Sequence, residues 1–188
     1  MGDLVTAFAC IDAGITCMCD NSHNNRTAAH ADAAVKALFD SGIRAVYGGG
    51  GIRFPDDQPW DKQWPEDMRR IKKQYFSSDD QLVTVRMFFA GTVNPMHARV
   101  ARDLDLWISW DGGAATQMYR DGLLVGKESF NHGTGVSEEN WKLIKDHGAK
   151  INVCPRSDEQ AGYGGAGRGF NGLQGSARSR LPARAERR

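Results

Sequence analysis

A histidine followed by two nearby glycines is the first feature of this sequence that could do chemistry. His132 ends a short apolar run, and Gly133 and Gly135 come next, before a helix start at Ser137. Histidine changes its charge near neutral pH, so it can transfer protons or bind a metal ion. Glycine allows the backbone to turn tightly beside a ligand. The pattern predicts a side chain that points from the end of a strand into a site.

Titratable side chains also follow three other apolar runs. His23 comes after the first run, Asp111 after the fourth, and Asp158 and Glu159 after the sixth. In parallel α/β proteins the ligand site lies at the carboxyl ends of the strands. We therefore expect these side chains to lie at the edge of a sheet that binds a ligand. The competing interpretation is that loops are polar in any protein.

The elements that must position these residues alternate along the chain. Apolar runs of strand length occupy 15–20, 43–51, 82–89, 106–110, 127–132 and 149–155. A helix or helix-like segment separates each run from the next, as in βα units with a parallel sheet. Two of these helices carry start signals. Pro65 can be the first residue of a helix over 65–76, and Ser137 can cap the helix that follows it.

The fold class is therefore α/β, and two architectures compete. A doubly wound sheet is one, but the glycines at 48–51 lack the helix that directly follows the dinucleotide-binding fingerprint. A (β/α)₈ barrel is the other. A complete barrel needs about 250 residues, and strand-like sequence ends here near residue 155. If the fold is a barrel, this chain can form only an incomplete one, and both architectures stay open at this point.

Charge divides the chain into two parts. Residues 161–188 carry six arginines and one glutamate, whereas residues 1–160 carry 18 basic and 22 acidic side chains. The basic segment has no apolar periodicity. From residue 165 onward its only aromatic residue is Phe170, and this scarcity of aromatic residues argues against a nucleic-acid-binding arm. We predict a βα domain over 1–164 and a disordered, Arg/Gly-rich tail over 165–188.

Composition also bears on location. No apolar run approaches the roughly 18 residues that a membrane span requires, and the first residues show no secretory signal pattern. The chain has four cysteines in no metal-binding pattern, so we expect buried free thiols in a reducing compartment. These features predict a cytoplasmic protein without a membrane partner.

Two long segments resemble the amidohydrolase superfamily, in the branch of cytosine deaminase and the triazine hydrolases. The first is "AFACIDAGITCMCDNSHNNRTAAHADAAVKALFDSGIRAVYGGG", which is similar to the second and third βα units. The second is "FNHGTGVSEENWKLIKDHGAKINVCPRSDEQAGYG", which is similar to the sixth and seventh strands. It contains the turn H-G-x-G-(L/V)-S and the successor P-x-x-(D/E)-x-Q. The resemblance covers about residues 3–164.

The resemblance implies a metal-dependent barrel enzyme that hydrolyses C–N bonds, or C–Cl bonds, of a small cyclic substrate. Zinc or iron lowers the pKa of a bound water in such enzymes. In this chain His132 matches the sixth-strand histidine that orients substrate or water. Asp111 stands where the fifth strand supplies a metal-binding histidine, so Asp111 and His132 are the metal candidates. His23, Asp158 and Glu159 are the candidates for substrate binding.

The chain departs from the pattern of the superfamily at several ligands. No His-x-His pair occurs among its five histidines, and Ala114 stands where the superfamily has an acid. The pattern also stops after Gly164, before an eighth strand with its aspartate. Two alternatives therefore stay open: a degenerate relative without hydrolytic activity, and a metal-independent enzyme that uses a histidine and a carboxylate. An incomplete barrel would also leave sheet edges that can pair with a second copy.

Overall fold

A computed structural model describes residues 1–51, 59–90, 95–111, 115–133, 136–160 and 183–185. The chain divides into two compact units. The first consists of Met1–Ala90 with Val100–Trp107, and the second of Gly91–Arg99 with Ile108–Arg188. Strands and helices alternate within the described residues, as the sequence predicts, and all six predicted strands are present.

Three parallel strands form the sheet of the first unit in the order β1-β2-β3. Its elements are α1 (Gly2–Asp12), β1 (Cys17–Ser22), α2 (Ala28–Ser41), β2 (Arg44–Gly49), α3 (Pro59–Tyr75) and β3 (Val83–Ala90), with α4 (Pro95–Asp103) next in the chain. Asn21 of β1 lies opposite Gly48 of β2, and Gly48 lies opposite Arg86 of β3. Apolar side chains between the sheet and its helices form the core, including Val35, Leu38, Tyr47, Ile71 and Phe76.

The second unit is built in the same way, from parallel strands in the order β4-β5-β6-β7. Its elements are β4 (Ile108–Asp111), α5 (Ala115–Arg120), β5 (Glu128–Asn131), α6 (Glu138–Asp146), β6 (Lys150–Val153), α7 (Pro155–Gln160) and β7 (Ala183–Ala185). Its buried apolar residues include Ile108, Trp110, Met118, Phe130, Ile144 and Ile151. The predicted alternation of parallel strands with helices is confirmed here as well.

Local signals explain where most helices begin and end. The Thr27 side chain accepts a hydrogen bond from the backbone N–H of His30, and Gly42 ends α2 in the left-handed conformation. The Ser137 side chain accepts from the N–H of Asn140, which confirms the predicted cap. The prediction for Pro65 is wrong, because α3 begins at Pro59 and Pro65 lies inside it. The longer helix tolerates the loss of the backbone hydrogen bond that proline cannot donate.

The end of the chain differs from the expectation in two places. Residues 155–160 form α7, a helix that the sequence pattern did not predict. Ala183–Ala185 form β7, which pairs in parallel with β6, so these three residues of the expected disordered tail have regular structure. Pairing of this kind uses backbone groups at the edge of β6 and needs no apolar side chains. The rest of the predicted tail lies outside the described residues.

The four cysteines are free, as expected, but they are not all buried. Cys154 is buried, whereas Cys17 lies exposed on β1. Cys10 and Cys19 are half-buried, so the expectation of burial is confirmed for Cys154 alone. No helix within the described ranges is long and apolar enough to cross a membrane. The cytoplasmic location stays a prediction.

Glycines in and after β2 allow neighbouring groups to approach its backbone closely. A Cβ atom at Gly48 would lie 2.5 Å from the carbonyl oxygen of Asp20, and one at Gly50 would lie 2.8 Å from that of Phe88. Neither oxygen can move without disturbing a paired strand. Gly49 lies against the Met68 side chain of α3, which covers it. Close packing of β1, β2 and β3 therefore requires residues without side chains at Gly48 and Gly50.

We predict that Gly48→Ala lowers the free energy of unfolding by about 1–3 kcal/mol, because the added methyl group overlaps a backbone oxygen. Urea denaturation measures this loss. Gly2→Ala in α1 is the matched control, since a Cβ there has no neighbour within 4 Å. Equal stability of the Gly48→Ala variant and the wild type would contradict the predicted overlap.

Candidate functional site

His132 is the first residue after β5, and its backbone is unusual. It has φ 68°, and Gly133 follows with φ 69°. A residue other than glycine in this left-handed region costs of order 1 kcal/mol or more, and it persists only where the surroundings hold it. Two consecutive left-handed residues turn the chain sharply away from the strand. The turn that needs Gly133 therefore also sets the direction of the His132 side chain.

A carboxylate from α7 holds the His132 imidazole. Nδ1 of His132 lies 2.6 Å from Oδ1 of Asp158, and the Asp158 side chain is only 7% exposed. The other oxygen of Asp158 accepts a hydrogen bond from the Cys154 backbone N–H at 3.3 Å. An ionised carboxylate can only accept, so Nδ1 carries the hydrogen of the shared bond. This pair fixes both the orientation and the tautomer of the ring.

A second carboxylate lies on the opposite side of the imidazole. Oδ1 of Asp111, the last residue of β4, is 3.7 Å from Nε2 of His132. This separation is too long for a direct hydrogen bond. The side chains of His132 and Asp111 are 21% and 17% exposed, so both reach solvent at the carboxyl ends of the strands. The structure thus brings together three predicted site residues: His132, Asp111 and Asp158.

Asn131 connects Asp111 to a buried polar layer that the sequence analysis missed. Its Nδ2 donates a hydrogen bond of 2.7 Å to Oδ1 of Asp111, and its Oδ1 accepts from Nδ2 of Asn152 at 3.0 Å. Ser109 Oγ donates to the same Oδ1 at 3.3 Å. The carboxylate of Asp111 can only accept, which determines the orientation of the Asn131 amide. Asp111 is therefore held in one position beside His132.

A sequence signal for this layer exists. "ISWD", "ESFN" and "KINV" place polar residues at alternating positions, and alternation in a strand puts them on one face of the sheet. Ser129 of β5 completes the layer by accepting from Nδ2 of Asn152. Strands of a parallel sheet are usually apolar on both faces. The second unit therefore has one apolar face toward its helices and one buried polar face that leads to His132.

The other two predicted site residues are not joined to this group by any described contact. His23 lies in the first unit, exposed just after β1, with its ring centroid 5.7 Å from that of Phe88. Glu159 lies in α7, and its side chain is outside the described residues. Substrate binding by His23 and Glu159 stays a prediction.

The first unit has a buried carboxyl oxygen of its own, on Asp20. Oδ2 of Asp20 is shut off from solvent and has no hydrogen-bond partner among the described residues. Burial, and to a smaller extent the negative charge of Asp3, raise the pKa of Asp20 from 3.8 to about 7 against the opposing charge of Arg86. Asp20 is therefore partly protonated at neutral pH.

Tyr47, which lies opposite Asp20 on β2, shares this environment. The ring is fully buried, and its hydroxyl accepts a hydrogen bond of 3.0 Å from Nδ2 of Asn25. Burial raises the pKa of the Tyr47 hydroxyl, and the negative charge of Asp20 adds to the effect. Tyr47 stays neutral at physiological pH, so Asp20 is the member of this pair that titrates.

A metal site of the usual kind is not formed by the described residues. Within them, no group of three His, Cys, Asp or Glu side chains lies close enough to hold an ion. Among the described residues, the predicted metal ligands Asp111 and His132 provide two side chains. Nδ1 of His132 is already hydrogen-bonded to Asp158. Zinc sites in proteins have at least three protein ligands. The expected zinc or iron does not fit the residues that the structure describes.

Comparison with solved structures identifies proteins of the same fold. A zinc-bound adenosine deaminase from Xanthomonas campestris superposes with a TM-score of 0.74 at 22% identity over 97% of this chain and 44% of its own. A triazine hydrolase variant superposes with a TM-score of 0.78 at 16% sequence identity, over 97% of this chain and 46% of its own. The zinc complex of atrazine chlorohydrolase from Arthrobacter aurescens superposes with a TM-score of 0.75 at 17% sequence identity, over 97% of this chain and 48% of its own.

These likenesses define the class of fold. At such identities they show shared architecture only, and the chain spans slightly less than half the length of these enzymes. No family model and no curated protein sequence matches the chain. The α/β fold of this chain is thus one that it shares with part of each of these enzymes. The resemblance inferred from the sequence is confirmed at the level of fold.

We predict that Asp20→Asn removes a pH dependence of stability. The folded pKa of Asp20 lies above the unfolded value, so its contribution is full below about pH 4 and is lost as the pH rises through about 7. The free energy of unfolding should fall by up to about 1.4 kcal/mol per pH unit in this window. The free energy of unfolding of Asp20→Asn, measured relative to the wild type, should therefore be higher at pH 8 than at pH 4.

Urea denaturation across pH 4–8 measures this effect. Asp80→Asn, at an exposed carboxylate, is the control and should keep the wild-type profile. Parallel profiles for the wild type and Asp20→Asn would contradict the assignment of this titration to Asp20.

Proposed function

We propose that this chain belongs to an amidohydrolase-type hydrolase that acts on a C–N or C–Cl bond of a small cyclic substrate. It supplies the residues that take a proton from the attacking water. The observation that carries the proposal is the 2.6 Å contact between His132 Nδ1 and the nearly buried Asp158. A histidine fixed in this way by a carboxylate is a common arrangement for general-base catalysis.

The comparisons support the chemistry at a coarse level. The adenosine deaminase acts, by its name, on an amine, and the atrazine chlorohydrolase on a chlorine substituent. Since the chain spans less than half of either enzyme, the activity and the substrate class are proposals for this protein.

The reaction requires a proton to leave an attacking water, and His132 is the group proposed to take it. A C–O bond forms as the water loses its proton to Nε2, and the C–N or C–Cl bond then breaks. A departing amine takes up the proton, whereas chloride leaves without one. Asp158 keeps the ring oriented and stabilises the imidazolium form. Oδ1 of Asp111 lies 3.7 Å from the same Nε2.

Metal chemistry is not part of the proposed steps, because the described residues do not provide three ligands. This favours the metal-independent alternative, in which a histidine and two carboxylates perform acid–base chemistry. The observation in its favour is that both ring nitrogens of His132 face carboxylate oxygens. A degenerate relative without turnover is the competing alternative, and the experiment below tests it. A homo-oligomer formed through exposed sheet edges stays a prediction.

His132→Gln should lower kcat/KM by about 10²–10⁴-fold if His132 is the general base. Asp158→Asn should lower it less, since it changes the orientation of the base and not its presence. The measurement is hydrolysis of adenosine, an amino-triazine and a chloro-triazine with chelator present. His30→Gln is the control, because His30 is an exposed histidine on α2. Absence of wild-type turnover on every substrate would support the degenerate alternative and end the proposal.

We predict less than one zinc or iron atom per chain after dialysis, measured by elemental analysis. Asp111 and His132 are too few to bind zinc tightly, and His132 is already engaged with Asp158. Asp111→His should raise zinc affinity, because imidazole is a better zinc ligand at this position beside His132. One tightly bound atom per wild-type chain would contradict this prediction and restore the metal-dependent mechanism.

A further inference from the structure

Arg86 is a nearly buried charge in the first unit for which the fold provides little compensation. It lies in the middle of β3 with 9% of its surface exposed. Its Nη2 donates a hydrogen bond of 2.7 Å to Oδ1 of Asn21. Its Nε is buried and has no hydrogen-bond partner among the described residues. A guanidinium keeps its charge at all physiological pH values, so this charge persists.

The register of the sheet explains how Arg86 reaches Asn21. Asn21, Gly48 and Arg86 lie in one row across β1, β2 and β3. Side chains that are paired in this way point to the same face of a parallel sheet. The absence of a side chain at Gly48 leaves room for the guanidinium to cross the middle strand. Phe88 follows Arg86 on the same face, and the exposed His23 ring packs against it at the carboxyl ends of the strands.

Among the described residues, no carboxylate lies within the 4.0 Å of an ion pair with Arg86. Asp20 interacts with Arg86 at longer range, but burial and the charge of Asp3 raise the pKa of Asp20 to about 7, so about half of the Asp20 side chains are neutral at pH 7. Asn21 is an uncharged amide. As a rule, buried charges in proteins are paired with an opposite charge, because removing a charge from water is costly.

We propose that Arg86 and Asn21 form a binding site for an oxyanion, the carboxylate or phosphate group of a small ligand. The guanidinium has further N–H groups in one plane besides the one bonded to Asn21, and this geometry matches both anions. The row lies near the carboxyl ends of β1 and β2, at the edge where α/β proteins bind ligands, and in the middle of β3. The proposal concerns the first unit alone and does not rest on the proposed hydrolase function.

Thermal denaturation of the whole chain with added anions tests the site. Acetate, benzoate and orthophosphate are compared with chloride at equal ionic strength. We expect at least one oxyanion to raise the Tm of the wild type by several degrees relative to chloride. Protection by acetate or benzoate alone would identify a carboxylate ligand, and protection by orthophosphate alone would identify a phosphate ligand. The absence of any oxyanion-specific shift would overturn the proposal.

Variants of Arg86 separate a binding role from a structural one. Arg86→Met should abolish the oxyanion shift, and without anions it should be at least as stable as the wild type because it removes an unpaired charge. Arg44→Met, at an exposed arginine of β2, should keep the shift. If Arg86→Met fails to fold, Arg86→Lys tests the binding role instead. Lysine keeps the charge but should raise the dissociation constant of the anion at least tenfold. An unchanged shift in the Arg86 variants would show that the anion binds elsewhere.

Discussion

Polar groups that leave water must find partners, and this constraint determines most of what is distinctive in both units. A buried amide or carboxylate without a hydrogen bond costs several times what an ordinary hydrogen bond contributes. In the second unit the constraint is met by a chain of contacts from Asn152 through Asn131 to Asp111. His132 and Asp158 satisfy each other directly. Each side chain in this chain of contacts is therefore held in one orientation.

Such a network is suited to chemistry because its members cannot relax independently. Proton transfer is efficient when the base is already oriented at the moment of reaction. The left-handed backbone at His132 belongs to the same arrangement, since its conformational cost is offset by the bond to Asp158. Removing His132 would also leave Asp158 with the Cys154 N–H as its described partner. A stability change in a His132 variant therefore does not by itself separate structure from catalysis.

The first unit shows the opposite case, in which the constraint is met only in part. Oδ2 of Asp20 and Nε of Arg86 are buried without described hydrogen-bond partners. Incomplete satisfaction of this kind is tolerated where a change of protonation or a ligand can remove the cost. For Asp20 the change is protonation, because burial moves its pKa to about 7. Arg86 cannot lose its proton, so the compensation that we propose for it is a bound anion.

The sequence by itself determined the fold class and much of the local structure. Strand-length apolar runs alternating with helical patterns specify parallel βα units, and caps such as Ser137 mark helix boundaries, because these signals act within a few residues. The sequence also singled out His132, Asp111 and Asp158 through their positions after strands. It did not predict α7, since 155–160 lacks an apolar pattern, nor the start of α3 before Pro65. Only the tertiary structure decided that Asp158 pairs with Nδ1 of His132, that Asn131 holds Asp111, and that Arg86 crosses Gly48 to Asn21. Those contacts join residues 20 to 65 positions apart, and the register of neighbouring strands and the packing of α7 bring them together.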